Sequence, residues 1–227
     1  MGEEKSLERI VSTGFVPSVH GFRFVNWFPG YRFEAVCGGM CHAALDYYHA
    51  GEAVPEDTAL PPEESPLYQH IARRLLDSFG PLFCSVAKLT HWMHLPDATP
   101  RGVWRKTRDE ITGILERLDA GEPVPLFLEY NNARENRHPS LEFPNPTLNH
   151  QVLACGYEQK GAGTIEMSIY DPNSPGDDTV RLRTEETGIS GGALGVRCFQ
   201  RRDGAKERTL HGFFATSHYR KKSPPSA

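Results

Sequence analysis

The spacing of apolar residues changes once along the chain, at Gly121, and nothing else constrains the fold as strongly. Before Gly121 apolar residues recur at helical intervals; after it they fall in short strand-like runs. Residues 38–49 place Met40, Ala43, Ala44, Tyr47 and Tyr48 on one helical stripe, with Gly51 just past the end. Ser65-Pro66 opens a second helix whose Leu67, Ile71, Leu75 and Leu76 repeat before Gly80-Pro81 stops it. A third covers about 107–119, with Ile111, Ile114, Leu115 and Leu118 inward and Gly121 following its end. Beyond it, residues 124–130, 151–157, 164–170, 179–184 and 209–216 read as strands separated by Gly and Pro turns. Helices followed by an antiparallel sheet define an α+β class. The expected layout is one domain over 1–218, helical over about 14–121 and sheet over about 122–218. Residues 14–28 read as extended and aromatic, and 131–149 as a long polar connection suited to a substrate-facing lid.

The size agrees with one large domain: 227 residues against about 150 per domain, with enough apolar mass, 38%, for a core. Twenty-five Lys and Arg against 29 Asp and Glu give a net charge of −4, without the clustered basic excess that nucleic-acid binding requires. Arg220-Lys221-Lys222 is the one run of three basic residues, and with the Ser-Pro end it reads as a solvated, disordered tail over 219–227. No window approaches the ~20 apolar residues of a membrane helix, and the charged start lacks a signal-peptide core, so a cytoplasmic location is expected. Five cysteines cannot all pair within the chain, and Cys84, Cys155 and Cys198 sit in apolar surroundings, as buried structural cysteines do.

Chemistry concentrates at Cys37-Gly38-Gly39-Met40-Cys41-His42. A cysteine followed by two glycines and a helical stripe stands at a helix N-terminus, where free N–H groups and the macrodipole stabilise a thiolate. Glycine beside the thiol admits a substrate backbone, and the cysteine's own N–H suits an oxyanion hole. The segment is equally compatible with a small core residue at a tight helix entry. A thiolate needs a base and the base an orienter. His150 opens an apolar strand, and Asp171 ends the next one at a Pro172-Asn173 break. If those strands pair through the Gly161–Gly163 turn, His150 and Asp171 share one sheet edge; a strand-end cap and a plain turn are the alternative readings.

Cys37-Gly38-Gly39-Met40, then Asn149-His150-Gln151 running to Gly156-Tyr157, then Tyr170-Asp171-Pro172-Asn173, in that order, resembles the papain-like cysteine hydrolase superfamily. Within it, the bacterial C39-type peptidase branch is the most similar. The resemblance implies a papain-like fold with a nucleophile helix against an antiparallel sheet. It also implies Cys37 as nucleophile, His150 as general base and then acid, and Asp171 as orienter. A peptide, amide, ester or thioester would be the substrate, with no cofactor. An acyl transferase of transglutaminase type, or a silent binding module, would use the same scaffold. The glutamine that the family places before its nucleophile is missing from 31–36, so Asn26 becomes the candidate oxyanion donor, and Cys41 is a rival nucleophile. Cys37, Cys41 and His42 with His91 and His94 approximate a zinc pattern, though the second pair is one residue short of the usual spacing. Asp171-x-Asn173 leading to Asp177-Asp178 lacks the glutamate of a calcium loop. Phe22, Phe24, Trp27, Phe28 and Phe33 read as a core wall.

Overall fold

A computed structural model describes residues 9–130, 149–161, 163–216 and 219–225. The expected lid at 131–149 lies, but for Asn149, outside the described residues. The architecture is α+β, a set of helices against one curled antiparallel sheet. Strand β1 (Arg9–Ser12) and the helical turn α1 (Pro17–His20) precede α2 (Cys37–Ala50), α3 (Pro66–Ser78), α4 (Cys84–Met93) and α5 (Val103–Asp119). Seven strands follow: β2 (Val124–Glu129), β3 (His150–Lys160), β4 (Thr164–Tyr170), β5 (Arg181–Gly188), β6 (Leu194–Arg201), β7 (Arg208–Leu210) and β8 (Gly212–Ala215). The sheet order is β7-β6-β5-β4-β3-β2-β8, and β1 pairs with the far half of β3.

Each long element follows from its residues. In α3, Ser65 accepts a hydrogen bond from the Tyr68 N–H as N-cap and Pro66 occupies the first turn, where its missing N–H costs nothing. At the end of α2, Gly51 adopts φ 71°, a left-handed conformation in which a Cβ would be strained. Strand β2 is buried at every position, because one face packs on α5 and the other on α4. Alternation along β3 sends Val152 and Ala154 to the α5 side and Leu153 and Cys155 to the α2–α3 side. The sheet therefore sits between two apolar layers. One holds Met40, Leu45, Ile71 and the Phe22, Phe24 and Phe28 rings; the other holds Ile111, Ile114 and Leu118 with the inner residues of β2 to β6. A third cluster joins Leu89, Trp92 and Met93 of α4 to Phe127 and Phe214. Each fully buried Leu, Ile or Phe contributes about 1.5–3 kcal/mol of transfer free energy.

Several expectations need correction. Cys84 is exposed, because it opens α4 after the positive-φ pair Leu82 and Phe83 instead of entering a core. Leu76 and Trp27 are exposed as well. The 14–28 stretch contains the turn α1, started by Pro17, and is not extended throughout. The last expected strand breaks in two at His211. Of the expected tail, residues 220–223 are exposed as expected, but the segment 219–222 is anchored to the helices. Tyr219 Oη donates to Asp46 Oδ1 at 2.8 Å, Lys222 N–H donates to the same oxygen at 2.9 Å, and Arg74 donates to the Arg220 carbonyl at 3.0 Å. A buried carboxylate and guanidinium hold the segment down, which overrides its surface-like composition.

Candidate active site

Cys37 is the first residue of α2 and His150 the first of β3; Asp171 follows the last residue of β4. Strands β3 and β4 pair antiparallel, with a bulge between Ala154 and Gly156 and Leu153 opposite Tyr170. Continuing that register sets Asp171 opposite Val152, two residues from His150 on the same face, which is diagonal contact distance. His150 Nε2 lies 2.7 Å from Asp171 Oδ1, and both side chains are buried. With Nε2 engaged, Nδ1 is the nitrogen left for the hydrogen bond between the imidazole and the Cys37 thiol. The sulfur is half-buried and also accepts from the Gln151 N–H at 3.4 Å and from the Gly38 N–H. No side chain caps the N-terminus of α2; the Cys37 sulfur itself takes up one of the N–H groups that a helix start leaves without an internal partner.

The electrostatics follow from these contacts. Burial raises the Cys37 thiol, but the hydrogen bond and charge of His150, with the two N–H donors, outweigh it and leave the pKa below the ordinary value. Burial lowers His150, yet Asp171 and the thiol overcome this and push the imidazole up to about 10. Asp171 is held below the usual carboxylate range despite its burial, by His150, the Asn173 N–H and Gln200. Both shifts favour the thiolate–imidazolium form of the pair over the neutral one. Cys41 is the opposite case. It is buried beneath Cys37, its Sγ 3.7 Å from the Gln151 carbonyl, and burial pushes its thiol well above the ordinary value. The rival is inert by environment.

Asn26, the expected oxyanion donor, links the two flanks of the site through contacts that use one of its two Nδ2 hydrogens. Its Oδ1 accepts from the Val36 N–H at 2.6 Å, its Nδ2 donates to Asn173 Oδ1 at 3.3 Å, and its own N–H donates to the Pro172 carbonyl at 3.0 Å. Both ends of the amide are engaged in tying the residue before Cys37 to the turn after Asp171, which makes Asn26 a brace. The glycines are also used differently from expectation. A Cβ on Gly38 would run into Ser78 Oγ and the Gln151 amide, and one on Gly39 into the Ile71 carbonyl. They admit α3 and β3 to the helix, not a substrate. Among the described residues no three of His, Cys, Asp and Glu are placed to hold a metal ion.

Four neighbours complete the triad's surroundings; Gln151 and Asn173 stand within the sequence motifs, whereas Gln200 and Tyr130 lie outside them. Gln200 Nε2 donates to Asp171 Oδ2 at 2.8 Å, and its Oε1 accepts from Tyr130 Oη at 2.9 Å. The Tyr130 ring stacks on the His150 ring at 6.3 Å and 14°. Asn173 Nδ2 lies 3.3 Å from His150 Nε2, and Gln151 spans the sulfur and Ser78 Oγ, the latter at 3.0 Å from its Nε2. The alternation Val196, Cys198, Gln200 in β6 carried the signal for Gln200, since it puts a polar side chain where the inner face reaches the strand end. Comparison with family models, curated proteins and solved structures finds no significant match.

Proposed function

We propose that the chain is a papain-like cysteine hydrolase acting on an amide or peptide, ester or thioester carbonyl. The observation that carries this reading is the unbroken contact from Cys37 through His150 to Asp171, assembled from three separate elements with the thiol shifted toward its anion. In the first half-reaction the Cys37 thiolate adds to the carbonyl carbon. The negative oxygen that forms lies near the first-turn amides of α2, Cys37's own N–H among them, where the helix dipole favours it. Collapse breaks the bond to the leaving group, which takes the proton from His150 Nδ1, and leaves a thioester. Water then gives a proton to the neutral His150 and its hydroxyl to the acyl carbon. The thioester bond breaks, releasing the acid and restoring thiolate and imidazolium. Asp171 keeps the imidazole in the tautomer and orientation that both steps need.

Alkylation by iodoacetamide at pH 7, followed site by site by mass spectrometry, tests the nucleophile. Cys84 is exposed and serves as the internal reference for reagent access. Cys37 is expected to react at least about tenfold faster than Cys84, as a thiol with a depressed pKa should, and His150→Ala should erase that lead. A Cys37 no faster than Cys84 overturns the reading and leaves a scaffold without activated sulfur. Hydrolysis of a panel of peptide and amide esters by wild type, absent in Cys37→Ala, would then define the reaction.

A further inference from the structure

Beside the triad the sheet presents a cation that has no carboxylate partner among the described residues. Gln200 and Arg208 face each other across β6 and β7, two positions along the ladder from the buried pair Cys198 and Leu210. Alternation therefore puts both side chains on the face that carries Tyr130, His150 and Asp171. The Arg208 guanidinium carbon stands 3.5 Å from the centre of the Tyr130 ring, and that ring is fixed in turn by Gln200 and by stacking on His150. The two ring distances place the guanidinium no more than about 10 Å from the imidazole centre, near enough for a unit charge to be felt at a protein surface. Nearby arginines are already paired, Arg183 with Glu207 and Arg201 with Glu166. Arg208 is exposed and, among the described residues, has no carboxylate partner. The one carboxylate of the triad, Asp171, is committed to His150, Gln200 and the Asn173 N–H. A guanidinium lying on an aromatic face keeps its N–H edge available for a two-point contact with a carboxylate.

We propose that Arg208 is a specificity-determining residue: the site takes acyl donors that carry a carboxylate close to the scissile carbonyl, and Arg208, held on Tyr130, binds that carboxylate. This rests on the reading of Cys37 as the activated nucleophile.

Iodoacetate and iodoacetamide are nearly equal in size and differ by one charge, so the ratio of their rates at Cys37 reports the field that an incoming anion meets. At pH 7 and low salt, Arg208→Gln is expected to lower the iodoacetate-to-iodoacetamide ratio about threefold, from Coulomb's law at this range. Arg208→Lys should keep most of it, and the difference should fade toward about 1 M salt, where screening is complete within a few ångströms. The substrate class is read in the same way, from kcat/KM for matched peptide anilides with glutamate or glutamine at the acyl end. Wild type should favour glutamate, and Arg208→Gln should lose most of that preference. A ratio that does not change with Arg208→Gln, or equal kcat/KM for the two anilides in wild type, overturns the proposal while leaving the nucleophile intact. A Cys37 that neither reagent prefers over Cys84 removes the nucleophile, and the anion subsite falls with it.

Discussion

The fate of the Cys37 proton is decided by two neighbours acting against burial. Desolvation alone would carry this thiol upward, as it does for Cys155, pushed up to about 12 in an apolar layer. What reverses the sign at Cys37 is chiefly His150, and His150 can serve only because Asp171 holds it charged. For an acid with a lowered pKa the anion persists above that lowered value, so alkylation of Cys37 should rise with pH through an inflection below the ordinary thiol range. In His150→Ala the opposing contribution vanishes and burial remains, which moves the inflection to or above the ordinary value; each unit of upward shift removes about tenfold of the thiolate at pH 7. Asp171→Asn should move it the same way by a smaller amount, since the imidazole stays but loses the anion that raises it. Rates measured from pH 5 to 10 decide this, and an inflection common to wild type and His150→Ala would mean that the imidazole does not govern the sulfur. The motif at 37–41 and the strand-end His150 and Asp171 were legible in the sequence because each is a local pattern. Gln200, Tyr130 and Arg208 were not, since their meaning comes only from strand pairing across the curled sheet.

At the scale of elements the same division holds. Helices α2, α3 and α5 and strands β2, β3 and β4 declare themselves by periodicity over a long enough window. Strand β1, with four residues, and α4, which starts from two residues at positive φ, are too short or too dependent on their neighbours to do so. The α2 helix shows how a residue can be recognised and yet misread. The glycine beside the thiol, Gly38, reads from the sequence as room for substrate, but Gly38 and Gly39 are the seam where α3 and β3 meet the helix. Gly39→Ala should therefore destabilise the protein by about 1–3 kcal/mol through overpacking against main chain, which cannot swing aside as a side chain can. Gly113 in the exposed part of α5 is the internal contrast, because an added Cβ there meets nothing within 4 Å. Gly113→Ala should stabilise by about 0.5–1 kcal/mol, the helix-interior difference between the two residues. Urea midpoints at unchanged slope measure both, and equal shifts of one sign would contradict the packing seam.

Across the whole molecule, the last described segment closes over the first long helix. Asp46 lies on α2, the helix that presents Cys37, and is fully buried with Arg74 of α3 at 2.9 Å and His70 at 3.0 Å. Two buried charges of this kind are stable only when their remaining hydrogen-bonding capacity is filled, and here residues 219–222 fill it with the Tyr219 hydroxyl, the Arg220 carbonyl and the Lys222 N–H. His42, one turn earlier on α2, meets the Tyr219 ring edge-on at 5.5 Å and is kept neutral, its pKa pressed to about 3 by burial and then by Arg74. The segment is thus a clasp between the end of the described chain and the helices α2 and α3. Its composition hid it, because a run of basic residues beside prolines looks solvated unless the buried acceptor some 170 residues earlier is known. Tyr219→Phe keeps the ring and removes one donor to a buried carboxylate, and should cost about 1.5 kcal/mol. Asp46→Asn keeps the shape but leaves Arg74 with the part-exposed Asp77 as its one remaining carboxylate among the described residues, and should cost about 3 kcal/mol. Combined in one chain, the two losses should be less than additive, because the neutral amide of Asp46→Asn no longer offers the Tyr219 hydroxyl a charged acceptor. Equilibrium unfolding of the two single variants and the double supplies the cycle; a Tyr219→Phe midpoint equal to wild type would return the segment to solvent.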